Sequence, residues 1–260
     1  MSTRPPLEPF RIKSVQPFRI TTCAERTGIL ERAHHNLFLV HAEDVMIDLL
    51  TDSGTAAMSS AQWGALMRGD ESYAGSASFF RFEAVVKDLT GFKHIIPTHQ
   101  GRAAERILFS LVGGPGKAIP SNAHFDTTRA NIEHSGAQAV DLRIPESKDP
   151  TSAHPFKGNI DLPQLEAFLS KHDAATIPLG MITITSNTAA GQPVSIENIR
   201  QAKRLLARHG IPLYLDACRF AENAWLIKER DPAYRNIPAR QIAREIFSLA
   251  DGCTMSAKKD

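Results

Sequence analysis

From Phe80 onward, short apolar runs alternate with segments patterned at helical spacing, and this alternation restricts the chain to a sheet whose strands are joined by helices. Phe80, Val85, Val86 and Leu89 fall near helical spacing, and Gly91 ends that segment. Residues 93–97 read as a strand, and residues 103–112 as a helix stopped by Gly113-Gly114-Pro115-Gly116. Residues 139–144 and 181–185 are predicted strands, the second rich in β-branched side chains. Ser195 is placed to cap a helix carrying Ile199, Ala202, Leu205 and Leu206 on one face, with Gly210 just past its end. Residues 211–215 form a short buried strand ending in Asp216, and a helix over 239–249 leads to a strand over 252–255. Strands and helices alternating in this way predict an α/β fold with a mostly parallel sheet covered on both faces. Ligand groups in such sheets collect at the carboxyl ends of the strands.

Composition narrows the classes further. With 42% hydrophobic and 22% charged residues, the 260-residue chain is neither disordered nor fibrous. A net charge of +2 argues against a nucleic-acid grip built on phosphate neutralisation. Apolar runs such as 180–184 and 211–215 are far too short for a membrane span, and no apolar signal segment follows Met1-Ser2-Thr3-Arg4-Pro5-Pro6. Cys23, Cys218 and Cys253 lie far apart with no C-x-x-C pair, which points to a reduced, cytoplasmic setting. Ten histidines include no H-E-x-x-H pattern, and a structural zinc site is not expected. Residues 4–22 mix Pro5, Pro6, Pro9 and Pro17 with Phe10 and Phe18 and read as an extended arm.

Four polar clusters follow predicted strands. In Pro97-Thr98-His99-Gln100-Gly101-Arg102 a helix begins on a glycine and an arginine, so that free backbone N–H groups, the helix dipole and a guanidinium could hold a phosphate. The plainer alternative is a tight turn with a surface arginine. Asp216 could pair with a buried cation such as a protonated ring nitrogen, or could serve as a strand-end cap or metal ligand; Arg219 follows it by three residues. Asn187 opens a loop of small residues and could equally be a turn former. Lys258 and Lys259 follow the last strand, where a lysine beside an acid, an amide and an anion cradle is a candidate Schiff-base nucleophile rather than a solvated surface charge.

The segments 49–55, 69–76, 97–102, 191–195 and 255–260, with these four clusters in this order, make the chain resemble the β-eliminating lyases, the group that includes tryptophanase and tyrosine phenol-lyase, from about Leu7 to the last residue. The resemblance implies the pyridoxal 5′-phosphate fold of the aspartate aminotransferases, with an arm and small-domain segment over 1–60 and an incomplete cofactor-binding large domain over 61–260. It implies that Lys259 carries the cofactor as a Schiff base and removes the substrate α-proton. Gln100, Gly101, Arg102 and Ser256 would hold the phosphate, Phe125 would stack on the ring, and Asp216 would keep the ring nitrogen protonated. Asn187 and Arg219 would face the ring hydroxyl, and Thr51 and Ser53 would help seat the substrate carboxylate. Tyr73 matches a catalytic acid supplied by a neighbouring subunit, hence a homo-oligomer, and Gly54 and Glu71 match a potassium site.

The implied reaction is β-elimination of an aromatic L-amino acid to pyruvate, ammonia and the free aromatic. Asp126, directly after Phe125, favours tryptophan, because a carboxylate accepts the indole N–H and repels a phenolate; Ser256-Ala257-Lys258-Lys259 points the same way. Residues 10–15 and 251–256 read more like tyrosine phenol-lyase, which keeps tyrosine as the alternative substrate. The chain stops one residue after Lys259, whereas members of the family continue. The expectation is therefore the N-terminal part of a lyase, with an inactive remnant that binds cofactor or partner subunits as the second reading and a non-catalytic α/β binding domain as the third.

Overall fold

The computed structural model describes residues 17–48 and 58–257. It divides the chain into two compact units, Met1–Thr55 and Ala56–Asp260. In the first, helix α1 (Cys23–Arg32) starts on a capping box in which Thr22 and Glu25 satisfy each other's backbone N–H groups. Arg19 ties that start to a later turn by pairing with both Glu25 (2.6 Å) and Asp44 (3.1 Å). The arm predicted over 4–22 lies mostly outside the described residues.

The second unit opens with α2 (Ser60–Met67), α3 (Ala77–Thr90) and α4 (Gly101–Val112). Then come β1 (Ala118–Ser121), α5 (Asp126–His134), β2 (Gln138–Asp141), α6 (Leu162–Lys171) and β3 (Gly180–Thr183). The rest is α7 (Ile196–Arg208), β4 (Leu213–Asp216), α8 (Phe220–Arg230), α9 (Ala239–Ser248) and β5 (Gly252–Thr254). The strands pair in the order β2-β1-β3-β4-β5, all parallel, as the alternation of patterns predicts.

Strand periodicity assigns the two faces. Ile182, Leu213 and Leu215 join Ile199, Ala202, Leu206, Ile242, Ile246 and Phe247 in one core beneath α6–α9. The alternate residues Ile119 and Met181 join Phe109 and Ile132 in a second core beneath α4 and α5, with Tyr214 packed against it. Buried asparagines close gaps that strands leave open. Asn198 exchanges two hydrogen bonds with the Ile160 backbone (2.9 Å each), and Asn223 does the same for Val194 (2.9 and 3.1 Å).

One predicted element is absent. Residues 93–97 are not a strand: Pro97 offers no N–H to a ladder, and Ile96 is 80% exposed. The phosphate-cradle segment therefore enters α4 from coil. The helix ends follow their signals, with Ser195 accepting the Asn198 N–H at the start of α7 and Gly91 and Gly210 in the left-handed conformation after α3 and α7.

Candidate active site

The sheet reverses its winding between β1 and β3, the place where an open parallel sheet leaves a crevice at its carboxyl edge. β1 and β3 share only one register pair, Ser121 with Met181, and then diverge. Asn122 bridges the gap: its Nδ2 donates to Thr183 O (3.0 Å) and Gly158 O (2.7 Å), and its Oδ1 accepts the Thr183 N–H (2.8 Å).

Thr183, Asp216 and Thr254 lie in register on β3, β4 and β5, on the face covered by α4 and α5. All three are buried, and the Oγ1 atoms of both threonines have no hydrogen-bond partner among the described residues. Thr128, fully buried on α5, donates to Glu105 Oε1 on α4 (2.8 Å) and lies 3.5 Å from Asp216 Oδ2. Burial, and after it the Asp216 charge, push the Cys253 thiol up to about 12, so that it stays neutral and unreactive.

Across from this acid, α4 begins against the last strand. A Cβ on Gly101 would stand 3.2 Å from Ser256 Cβ and 3.5 Å from Ser256 Cα, so a side chain here would press Ser256 back by a few tenths of an ångström and glycine keeps the two backbones close. Gln100 is the N-cap of α4 and makes no side-chain cap bond; its carbonyl accepts the Ala103 N–H (3.0 Å), and the Gly101 and Arg102 N–H groups have no backbone partner among the described residues; Arg102 is exposed. Phe125 is the N-cap of α5, half-buried, and Asp126 is the first helical residue, exposed, with its Oδ1 accepting the Thr127 N–H (2.6 Å). Asn187 starts the turn after β3, whose next residue Thr188 donates to the His124 carbonyl (3.1 Å) and so ties this loop to the one carrying Phe125. Arg219 is the N-cap of α8; its N–H donates to Ile184 O (3.1 Å) and its Nη1 lies 3.8 Å from Cys218 Sγ.

The structure thus joins Gly101 to Ser256, and ties the Asn187 and Phe125 loops to one crevice with Asp216 at the end of β4. The open first turn of α4 and the glycine–serine approach suit a phosphate, and a buried acid between two unsatisfied hydroxyls suits a polar aromatic ring. These residues fit pyridoxal 5′-phosphate in chemistry. Tyr73 and Glu71 lie on an exposed loop before α3, and Tyr73 is fully exposed. Lys259, Thr51, Ser53 and Gly54 lie outside the described residues.

Three residues here escape the motif reading. His124 is buried beside Phe125; Asp141 accepts both its backbone N–H (3.0 Å) and its Nδ1 (2.8 Å), while Nε2 has no partner among the described residues. Glu105 shares the buried stripe of α4 with Phe109, and Thr128 shares that of α5 with Ile132. A polar residue on an apolar helical stripe is the signal that could have found the last two.

A family model described as beta-eliminating lyase matches residues 48–260. The chain is 63% identical over 256 residues to a tryptophanase of Rhodobacter capsulatus (98% of this chain, 56% of that protein) and 61% over 254 residues to one of Salinibacter ruber (98% and 54%). It is 50% identical over 257 residues to a tyrosine phenol-lyase of Symbiobacterium thermophilum (99% and 56%). The chain spans about half the length of the curated relatives it matches.

Proposed function

Because the chain belongs to the beta-eliminating lyase family, we propose that it forms the cofactor-holding part of an enzyme that releases pyruvate and ammonia from an aromatic L-amino acid, tryptophan before tyrosine. The observation that carries this reading is Asp216, buried at the end of β4 between the unsatisfied hydroxyls of Thr183 and Thr254, with the Gly101–Ser256 approach across the same edge.

Pyridoxal 5′-phosphate, when bound, supplies an electron-accepting ring. Gln100, Gly101, Arg102 and Ser256 hold its phosphate, and Phe125 covers one face of the ring. Asp216 keeps a proton on the ring nitrogen, and Asn187 and Arg219 bind the ring hydroxyl. Lys259 provides the amine that anchors the cofactor and then takes the substrate α-proton, while Thr51 and Ser53 orient the carboxylate. Tyr73 delivers a proton to the departing aromatic carbon, which turns a poor leaving group into a neutral one. Asp126 accepts the indole N–H. The full exposure of Tyr73 supports a homo-oligomer in which it serves a neighbouring site. Gly54, through its carbonyl, and Glu71 hold a potassium ion. A cytoplasmic location accords with three free cysteines, and no helix among the described residues is long and apolar enough to cross a membrane.

Tryptophan is favoured by Asp126 and by the higher identity to the two tryptophanases than to the tyrosine phenol-lyase. The test is pyruvate formation with L-tryptophan and L-tyrosine offered separately to the protein loaded with pyridoxal 5′-phosphate. Tryptophan is expected to be the better substrate; pyruvate from neither rejects the lyase, and a clear preference for tyrosine reverses the role given to Asp126. Lys259→Ala should abolish the absorbance of the lysine-bound cofactor, and a band that survives removes Lys259 from its role.

A further inference from the structure

Two buried carboxylates, Glu105 on α4 and Asp216 on β4, face the same hydroxyl, that of Thr128 on α5. That hydroxyl has one proton to give. It stands 2.8 Å from Glu105 Oε1, a full O–H···O hydrogen bond, and 3.5 Å from Asp216 Oδ2, at the outer limit of one. Glu105 therefore takes the proton, and Thr128 turns lone-pair density rather than a donor toward Asp216. The other described contact of Glu105 uses its second oxygen, which accepts from the Asn131 amide at 3.4 Å.

We infer that Glu105 is a positioning residue that acts through Thr128 to strengthen the grip of Asp216 on a cation, namely the protonated ring nitrogen of the cofactor; this rests on the function proposed above. A buried carboxylate to which a neighbouring hydroxyl gives only a weak donor gains more from a positive partner. With a neutral amide at position 105, an N–H can donate to the Thr128 oxygen, and the hydroxyl is released to donate to Asp216. The acid then needs the cation less, and the ring becomes a weaker electron acceptor. Glu105 acts through the Thr128 oxygen, which links it to Asp216.

The experiment uses the holoenzyme reconstituted with pyridoxal 5′-phosphate labelled with ¹⁵N in the ring. In Glu105→Gln the ring ¹⁵N signal should move from the pyridinium position toward that of neutral pyridine, and affinity for the cofactor should fall about tenfold, the scale of one charged-group contact. Glu105→Asp, which keeps the charge but withdraws the carboxylate by one methylene, should shift the signal the same way by less and serves if the glutamine variant does not fold. In a Thr128→Val background, Glu105→Gln should add no further shift, because the connecting oxygen is gone. A ring signal unmoved by both Glu105 variants, or a shift of the same size with and without Thr128, overturns the inference while leaving the lyase intact. Wild-type protein that binds no pyridoxal 5′-phosphate overturns the function proposed above instead.

Discussion

The strand-end cluster and the Tyr73 loop are built in opposite ways. Around Asp216 the polar groups are buried, and the contacts that order them come from α4, α5 and the sheet: Glu105 with Thr128, and Asn122 with Thr183. The Tyr73 loop is ordered at its root and bare at its tip. Asp70 accepts the Ala77 and Ser78 N–H groups (2.9 Å each) and the Ser76 and Ser72 hydroxyls (3.0 and 3.2 Å), closing residues 70–78 onto the start of α3. Hydrogen bonds from the Ser78 side chain and backbone hold the Asp70 carboxyl well below the usual carboxylate range. Yet Tyr73, between these anchors, is fully exposed. The half proposed to hold charge on the cofactor draws its described contacts from α4, α5 and the sheet. The half proposed to deliver a proton is presented outward from a loop anchored at its root.

That contrast can be broken most sharply at Tyr73. Tyr73→Phe removes one hydroxyl from a fully exposed side chain, so stability and cofactor absorbance should not change. Turnover should fall on the order of 10²–10⁴-fold, the usual contribution of a positioned general acid. A matching loss of bound cofactor would mean that the two halves are not separate. The opposite result is expected at Gly101. Gly101→Val pushes a branched side chain into the 3.2 Å approach to Ser256 and should weaken cofactor binding by about tenfold or more, while turnover at saturating cofactor changes much less. Titration of the apoprotein followed by absorbance checks this; unchanged affinity would remove the cradle from the first turn of α4.

The same contrast explains what was legible in the sequence. The parallel sheet follows from apolar runs whose period switches between helix and strand, and the caps at Ser195, Gly91 and Gly210 follow from single-residue backbone chemistry. Asp216, Gly101 and Ser256 stand at element ends, where a motif reading looks. Residues 93–97 misled because Ile95 and Ile96 supply apolarity without a partner strand, and Pro97 cannot pair. β1 was not predicted: Ala118-Ile119-Pro120-Ser121 is short, and a proline interrupts it. Glu105, Thr128 and His124 stayed hidden because each acts through a neighbour distant in the chain. Thr128 and Asp216 are 88 residues apart, and no local pattern encodes that pairing.

The smallest expected effect concerns the inner carboxylate that orders the Phe125 loop. Burial raises the Asp141 pKa, but hydrogen bonds from the His124 ring and backbone, aided by the charges of His124 and Arg129, outweigh it and bring the pKa down to about 2. Arg129 Nη2 lies 2.7 Å from Asp141 Oδ2 and also pairs through Nη1 with Glu133 (3.1 Å). Since the folded-state pKa is depressed, the stabilisation is fully present above the unfolded value near 3.9 and is lost as pH falls toward 2. Asp141→Asn should therefore cost roughly 1–2 kcal/mol at pH 7 by urea unfolding, and this difference from wild type should shrink steadily between about pH 5 and pH 2. A difference that is constant across that range would mean that the side chain acts through shape rather than charge. Because Thr188 hangs on the His124 carbonyl, the same acidification should loosen the Asn187 and Phe125 loops together.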